Sequence, residues 1–259
     1  NIKVIESVQS SNNILLYKEF TELSEYCKKQ IEESEGNSSE VFLIGQSFIE
    51  GKNKFPQKTS YGIKFLKNSI SDGYIEAIVY YINMLIKGKL IPRNLKKAKK
   101  LINLKLHNDQ CKPISLLMHA KICKQEGDYE KCKDYLTKSI ELGNGEAMYE
   151  YGKLLRKKLI PTEKEKNWLE YYKLSNKQSF IKSIYKTGRL LIENQEIEQN
   201  IKEGIELIKC AVKHNHLPSI YYYSNLLKDG KYVEKNDKLS IEYLKQAADQ
   251  GHIDSINKY

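Results

Sequence analysis

Ala147-Met-Tyr-Glu-Tyr-Gly152-Lys-Leu-Leu155, Ser183-Ile-Tyr-Lys-Thr-Gly188-Arg-Leu-Leu191 and Ser219-Ile-Tyr-Tyr-Tyr-Ser224-Asn-Leu-Leu227 are one pattern written three times, 36 residues apart. Small, apolar and aromatic positions coincide in all three lines. A period between about 20 and 50 residues is the signature of stacked repeats. Working outward, the small position of the pattern falls at Gly45, Ile82, Ala120, Gly152, Gly188 and Ser224, with intervals of 37, 38, 32, 36 and 36. A second series, Gly73, Cys111, Gly143, Ser179, Asn215 and Gly251, keeps step at 38, 32, 36, 36 and 36. Two series that share one irregular interval mark about six copies of one unit.

Each unit reads as two helices. Met148, Tyr151 and Leu155 recur at helical spacing in the first. In the second, Phe65-Leu66 with Ile70 returns as Tyr135-Leu136 with Ile140, then Leu207-Ile208 with Val212. Gly73, Gly143 and Gly251 stand where a helix would end in the left-handed conformation that glycine adopts at little cost. Ile91-Pro92 and Ile160-Pro161 mark inter-helix loops. Eleven residues before the closing positions stand Gly62, Cys132, Gly204 and Ser240, which predicts close helix–helix approach; Lys100 and Trp168 break that series. Residues 1–39 do not fit the repeat. Leu16, Phe20, Leu23, Cys27 and Ile31 predict a capping helix, followed by a polar loop over Glu32–Ser39. The expected organisation is thus a capping segment, 1–39, and a repeat solenoid, 40–259. The start at Asn1 and the helix-like ending Ile253–Tyr259 suggest a segment of a longer protein.

Composition narrows the class without naming a ligand. Hydrophobic residues make up 40% of the chain, too many for a disordered one. No apolar run approaches the roughly 18 residues that span a bilayer, so membrane insertion is not expected. The net charge of +10 comes from 43 basic residues, of which Arg93, Arg156 and Arg189 alone are arginine. Such a balance can indicate an acidic partner, nucleic acid or a membrane surface, and compositional drift accounts for it at least as well. Cys27, Cys111, Cys123, Cys132 and Cys210 are odd in number and lack metal-site spacing, which favours a reduced, cytoplasmic setting.

Ser219-Ile-Tyr-Tyr-Tyr-Ser-Asn-Leu-Leu-Lys-Asp-Gly230-Lys-Tyr-Val233, followed by Tyr243-Leu-Lys-Gln-Ala-Ala-Asp-Gln-Gly251, resembles the Sel-one-like repeat family, a cousin of the tetratricopeptide repeat. The Gly-X-X-Val turn and the Ala-Ala-X-X-Gly ending carry the resemblance. It covers about 40–259 and is degenerate in the second and fourth units, while the third, with its short Glu126-Gly-Asp128 link, is more like an ordinary tetratricopeptide repeat. The resemblance implies an all-α fold, a right-handed α–α superhelix that scaffolds protein complexes, with no catalytic residues. It also allows an alternative, the recruiting arm of a multidomain enzyme such as a protein kinase.

In repeats of this kind the first helices line the concave face. Three positions per unit are expected to point there: three before the small residue, one after it and four after it. These read Phe42, Val79, Leu117, Tyr149, Tyr185, Tyr221; then Gln46, Asn83, Lys121, Lys153, Arg189, Asn225; then Ile49, Ile86, Lys124, Arg156, Ile192, Lys228. A partner-binding groove of Lys121, Lys124, Tyr149, Lys153, Arg156, Tyr185, Arg189, Tyr221, Asn225 and Lys228 is expected to hold a protein or peptide, acidic or phosphorylated. RNA is disfavoured because the column that would read bases opens with Phe42, Val79 and Leu117.

Other candidate chemistry reads as structure. Lys96-Lys-Ala-Lys-Lys100 is expected to be a solvated helix face over Ala98 and Ile102. His119 and Cys123, near Cys111 and Cys132, are expected to pack rather than bind zinc, so no metal or cofactor is anticipated. Gly45-X5-Gly51-Lys52 has the wrong spacing for a phosphate loop and lies on a helix. An enzyme made of these residues is not expected.

Overall fold

The computed structural model describes residues 23–161, 167–193 and 198–258, and every regular element among them is helical. The chain divides after Tyr81 into two compact units. In the first, α1 (Glu25–Glu33) starts at Ser24, whose hydroxyl accepts the Cys27 N–H. Its apolar face, Leu23, Cys27 and Ile31, is buried against Ile44, Phe48, Phe55 and Phe65. The remaining members of the expected face, Leu16 and Phe20, lie outside the described residues. The expected polar loop is shorter than Glu32–Ser39. Glu32 and Glu33 finish α1, and Asn37 caps α2 (Ser38–Glu50), leaving 34–37 as the link. Against α2 lies α3 (Thr59–Ser71), and their approach depends on a glycine pair. A Cβ on Gly62 would sit 2.5 Å from the Gly45 carbonyl oxygen. Of the two glycines in the phosphate-loop-like string, Gly45 is therefore a packing residue, and Gly51 ends α2 in the left-handed conformation at φ 66°.

Helix α4 (Ile75–Lys87) runs across the division. The second unit continues with α5 (Leu95–Lys105), α6 (Lys112–Glu126), α7 (Tyr129–Glu141), α8 (Gly145–Arg156), α9 (Trp168–Lys177), α10 (Ile181–Glu193), α11 (Ile201–Lys213), α12 (Leu217–Asp229), α13 (Asp237–Asp249) and α14 (Ile253–Ile256). Each first helix from α6 onward packs on its own second helix, and each second helix packs on the next first helix. This is the helix-pair solenoid that the period predicts.

Local chemistry starts and stops these helices. Asn94, Asn167, Asn200 and Asn236 each cap a second helix by accepting a backbone N–H from its first turn. Five of the six closing residues take positive φ: Gly73 (82°), Gly143 (79°), Ser179 (56°), Asn215 (54°) and Gly251 (81°). Cys111 does not. Its φ is −87°, and it ends a 3₁₀ turn that leads directly into α6. The different link explains why the intervals on either side of it are 38 and 32.

The small-residue series also has its cause. A Cβ on Gly204 would meet the Gly188 carbonyl oxygen at 2.9 Å and Ile192 Cγ1 at 2.7 Å. In the last pair, Ser240 Oγ donates to the Ser224 carbonyl at 2.7 Å across the same crossing. The break at Lys100 reflects a shifted contact, since Ala98 and Ile102 are buried there and the lysines around them are exposed. One recurring bond escaped the sequence. Ser139 Oγ reaches the Pro113 carbonyl at 2.7 Å and Ser175 Oγ the Gly145 carbonyl at 2.6 Å, tying α7 and α9 to the starts of α6 and α8. Ser69 does the same to Ser38 at 2.9 Å in the first unit.

Candidate protein-binding groove

In the second unit the first helices lie side by side, and the expected groove residues sit along them. Their environment is more self-satisfied than the sequence suggests. Tyr149, Tyr185 and Tyr221 are half-buried, each against a ring that precedes the next first helix. Centroid separations are 5.6 Å to Phe180, 5.1 Å to His216 and 5.1 Å to His252. The spacing is 31 residues in every case, so the tyrosine column is an inter-repeat packing ladder of half-buried rings.

The basic column is partly paired. Lys121 Nζ reaches Glu146 Oε1 at 2.8 Å and Asn83 Oδ1 at 3.2 Å. Lys124 Nζ lies 2.8 Å from Glu150 Oε2, and Lys153 Nζ lies 2.7 Å from Glu150 Oε1. Burial pushes the Glu150 carboxyl up, but Lys153 and Lys124 outweigh it and hold the group below the usual carboxylate range. Glu146 and Glu150 are the residues that sequence reasoning missed. They belong to none of the three columns, and only the stacking of one repeat on the next brings them to Lys121 and Lys124.

The remaining members divide by surroundings. Arg156 lies 5.0 Å over the Trp168 ring. Arg189 lies 4.9 Å over Tyr222 and 5.9 Å over Tyr185 while bridging Glu193 at 2.8 Å. Asn225 accepts from Lys258 Nζ, and Lys228 is exposed. The apolar members of the third column do not face outward: Ile49, Ile86 and Ile192 are fully buried. Ile49 and Ile192 sit where paired helices approach closely, against Gly62 and Gly204. Beside Arg189 opens a cleft of about 460 Å³, walled by Tyr185, Tyr221, Tyr222, Asn225 and Asp229.

The cysteine–histidine group is packed as a core. His119 stacks on Tyr135 with centroids 5.2 Å apart, and burial lowers its pKa. Burial raises the Cys123 thiol and pushes the Cys132 thiol to about 12. Among the described residues no three His, Cys, Asp or Glu side chains converge on a point that could hold a metal ion. No described helix is long and apolar enough to cross a membrane.

The family model of the Sel1 repeat matches residues 83–103, 120–144, 181–216 and 217–252. Among solved structures, a Sel1 repeat protein from Oxalobacter formigenes is similar at 14% identity, over 82% of this chain and 87% of that one, with a TM-score of 0.53. The Pseudomonas aeruginosa protein PA5086 is similar at 15% identity, over 87% and 88%, with a TM-score of 0.60. The immunity protein Pa5087 from Pseudomonas aeruginosa gives 15%, 87%, 88% and 0.58 on the same measures. At such identities the likeness is one of fold. No curated protein matches the chain.

Proposed function

The chain belongs to the Sel1-like repeat family of α-solenoids, whose members are in general protein-interaction scaffolds, and from that premise we propose that its first-helix face binds a segment of a partner protein. The observation that carries this reading is Arg189. Its guanidinium lies over Tyr185 and Tyr222, is fixed by Glu193, and borders the cleft of about 460 Å³. Rigid aromatic rings beside a pre-oriented arginine are the groups that dominate protein interfaces, because little side-chain entropy remains to be lost on binding. Arg156 on Trp168 repeats the arrangement one unit earlier. An acidic partner segment fits the cations of this face, beside the half-buried rings of Tyr149, Tyr185 and Tyr221.

Affinity capture from source-cell extract, comparing wild type with Arg156→Glu/Arg189→Glu, tests the proposal. A partner held by wild type and weakened about thirty-fold by the double change, with helicity intact, is the expected result. Equal capture by both proteins places the interface elsewhere and overturns the groove reading. Recovery of nucleic acid alone, released by moderate salt, overturns it as well.

A further inference from the structure

The excess of positive charge is not spread along the chain. Between Ala77 and Asn108 stand eight Lys or Arg and no Asp or Glu, so eight of the ten net charges fall in that one stretch. Compositional drift would scatter them. The stretch ends in α5, which is charged against its own dipole. The later second helices each carry an acid in the first turn: Glu130 in α7, Glu170 in α9, Glu203 in α11 and Asp237 in α13. A negative group is favoured there. Helix α5 opens instead on Lys96-Lys97, with no acid in its first turn. Lys96 and Lys100 also stand four apart, where like charges repel. Both effects oppose the helix, so the arrangement points to something outside the chain.

The groups share one surface. Lys96, Lys100 and Leu104 follow one another at steps of four, on the side of α5 opposite the buried Ala98 and Ile102. The loop before α5 closes on itself. The Asn94 N–H donates to the Leu85 carbonyl at 3.0 Å, and a Cβ on Gly88 would lie 2.9 Å from Arg93 Cβ. Arg93 is thereby held against the Gly88-Lys89 turn, one residue before the cap of α5. Lys89, Arg93, Lys96 and Lys100 are exposed, and none has a carboxylate oxygen within 4.0 Å among the described residues. Lys99, by contrast, is held by Glu126 at 2.7 Å. Two leucines stand in the open beside the cations: Leu90 is 44% exposed and Leu104 57%. No Phe, Tyr or Trp lies between Ile82 and Asn108.

We infer that this surface, the α4–α5 loop with the outer side of α5, docks peripherally on a membrane bearing anionic lipid headgroups. Its cations lie over the headgroups, and Leu90 and Leu104 seat in the boundary beneath them. Charge attraction and shallow apolar burial are the two signals that together hold a protein at such a surface. Nucleic acid would engage the cations but leaves the leucines in water, and this surface has no aromatic ring on which bases could stack. A protein interface is enriched in aromatic rings and arginine and depleted of lysine, the reverse of this composition. Because α5 is a second helix, the surface is separate from the first-helix groove, and either assignment can fail without the other.

Flotation of the chain with phosphatidylcholine vesicles, with and without about 30% phosphatidylserine, tests the assignment. Wild type is expected on the anionic vesicles and not on the neutral ones. Lys96→Gln/Lys100→Gln should weaken the binding about thirty-fold, at roughly five-fold per cation. Leu90→Ser/Leu104→Ser, which leaves the charge unchanged, should weaken it about ten-fold. Lys238→Gln/Lys245→Gln removes the same charge from α13 and should change it by less than about two-fold. All six positions are exposed, so each variant is expected to keep the circular dichroism of wild type. Wild type that ignores the anionic vesicles overturns the assignment, and retention on poly-uridine RNA instead turns it toward nucleic acid. An equal loss in the α13 variant makes net charge the cause and overturns this surface. Binding indifferent to the serine variant leaves charge alone at work and overturns the membrane reading.

Discussion

Gly204 and Ser179 show how much of this fold rests on single backbone positions. Alanine at Gly204 gains about 1 kcal/mol of helix propensity. Its methyl group would nevertheless fall 2.9 Å from a backbone oxygen and 2.7 Å from Ile192, so α10 and α11 must separate. Gly204→Ala should therefore destabilise the protein by a net of about 2 kcal/mol in urea unfolding. Ser179 has the opposite character. It holds φ at 56° at a helix end where three other repeats use glycine, so it carries a left-handed strain of about 1 kcal/mol. Ser179→Gly should raise the unfolding midpoint, with a gain of about 0.5–1 kcal/mol, because nothing else at that position changes. Glycine spacing announced both sites. It did not announce that serine and asparagine would occupy the left-handed position at 179 and 215.

Between elements, Glu150 joins α6 to α8 through Lys124 and to its own helix through Lys153. All three side chains are less than a third exposed. Glu150→Gln leaves two ammonium groups partly desolvated without a counter-charge. A loss of about 1–2 kcal/mol at neutral pH is expected, above the yield of an open surface pair. The pH dependence has a definite sign. The folded carboxyl titrates below its unfolded value of 4.5, so its contribution is complete above that pH. It is lost as pH falls through the folded value. The wild-type advantage over Glu150→Gln should therefore shrink and vanish on acidification, measured as the difference in urea midpoints from pH 7 down to pH 3. The sequence displayed Lys121 and Lys124 as a basic column. It could not display their partners, because a carboxylate 25 or 26 residues away becomes a neighbour only through the particular way α8 stacks on α6.

Across the whole molecule, burial sorts the five cysteines. Cys27, Cys111, Cys123 and Cys132 are buried, whereas Cys210 is partly accessible on α11 beside His214. An aromatic disulfide reagent at neutral pH should label one thiol rapidly and the other four only as the chain opens. The high thiol pKa of Cys132 slows it further. Rapid labelling of more than one thiol would contradict the packing around α1 or around α6 and α7. The same packing engages the side chains of His119 and Cys123. His119 is spent on stacking against Tyr135, and Cys123 fills a position that leucine occupies in the following repeats.

The repeat length, the pairing of helices, their closing turns and the close crossings at Gly45–Gly62 and Gly188–Gly204 were all legible in the amino-acid order. Each is a contact at a constant separation within one unit, and repetition writes constant separations as columns. The alternation of tyrosine and cation along the first helices was legible too, but not its state. Stacking one repeat on another turned the tyrosines sideways onto Phe180, His216 and His252. It also balanced Lys121 and Lys124 with carboxylates. Contacts between repeats depend on the rotation from one helix pair to the next, which rigid packing of the whole pair sets. No local pattern carries that angle, and so the charge balance of the groove became visible only in the folded chain.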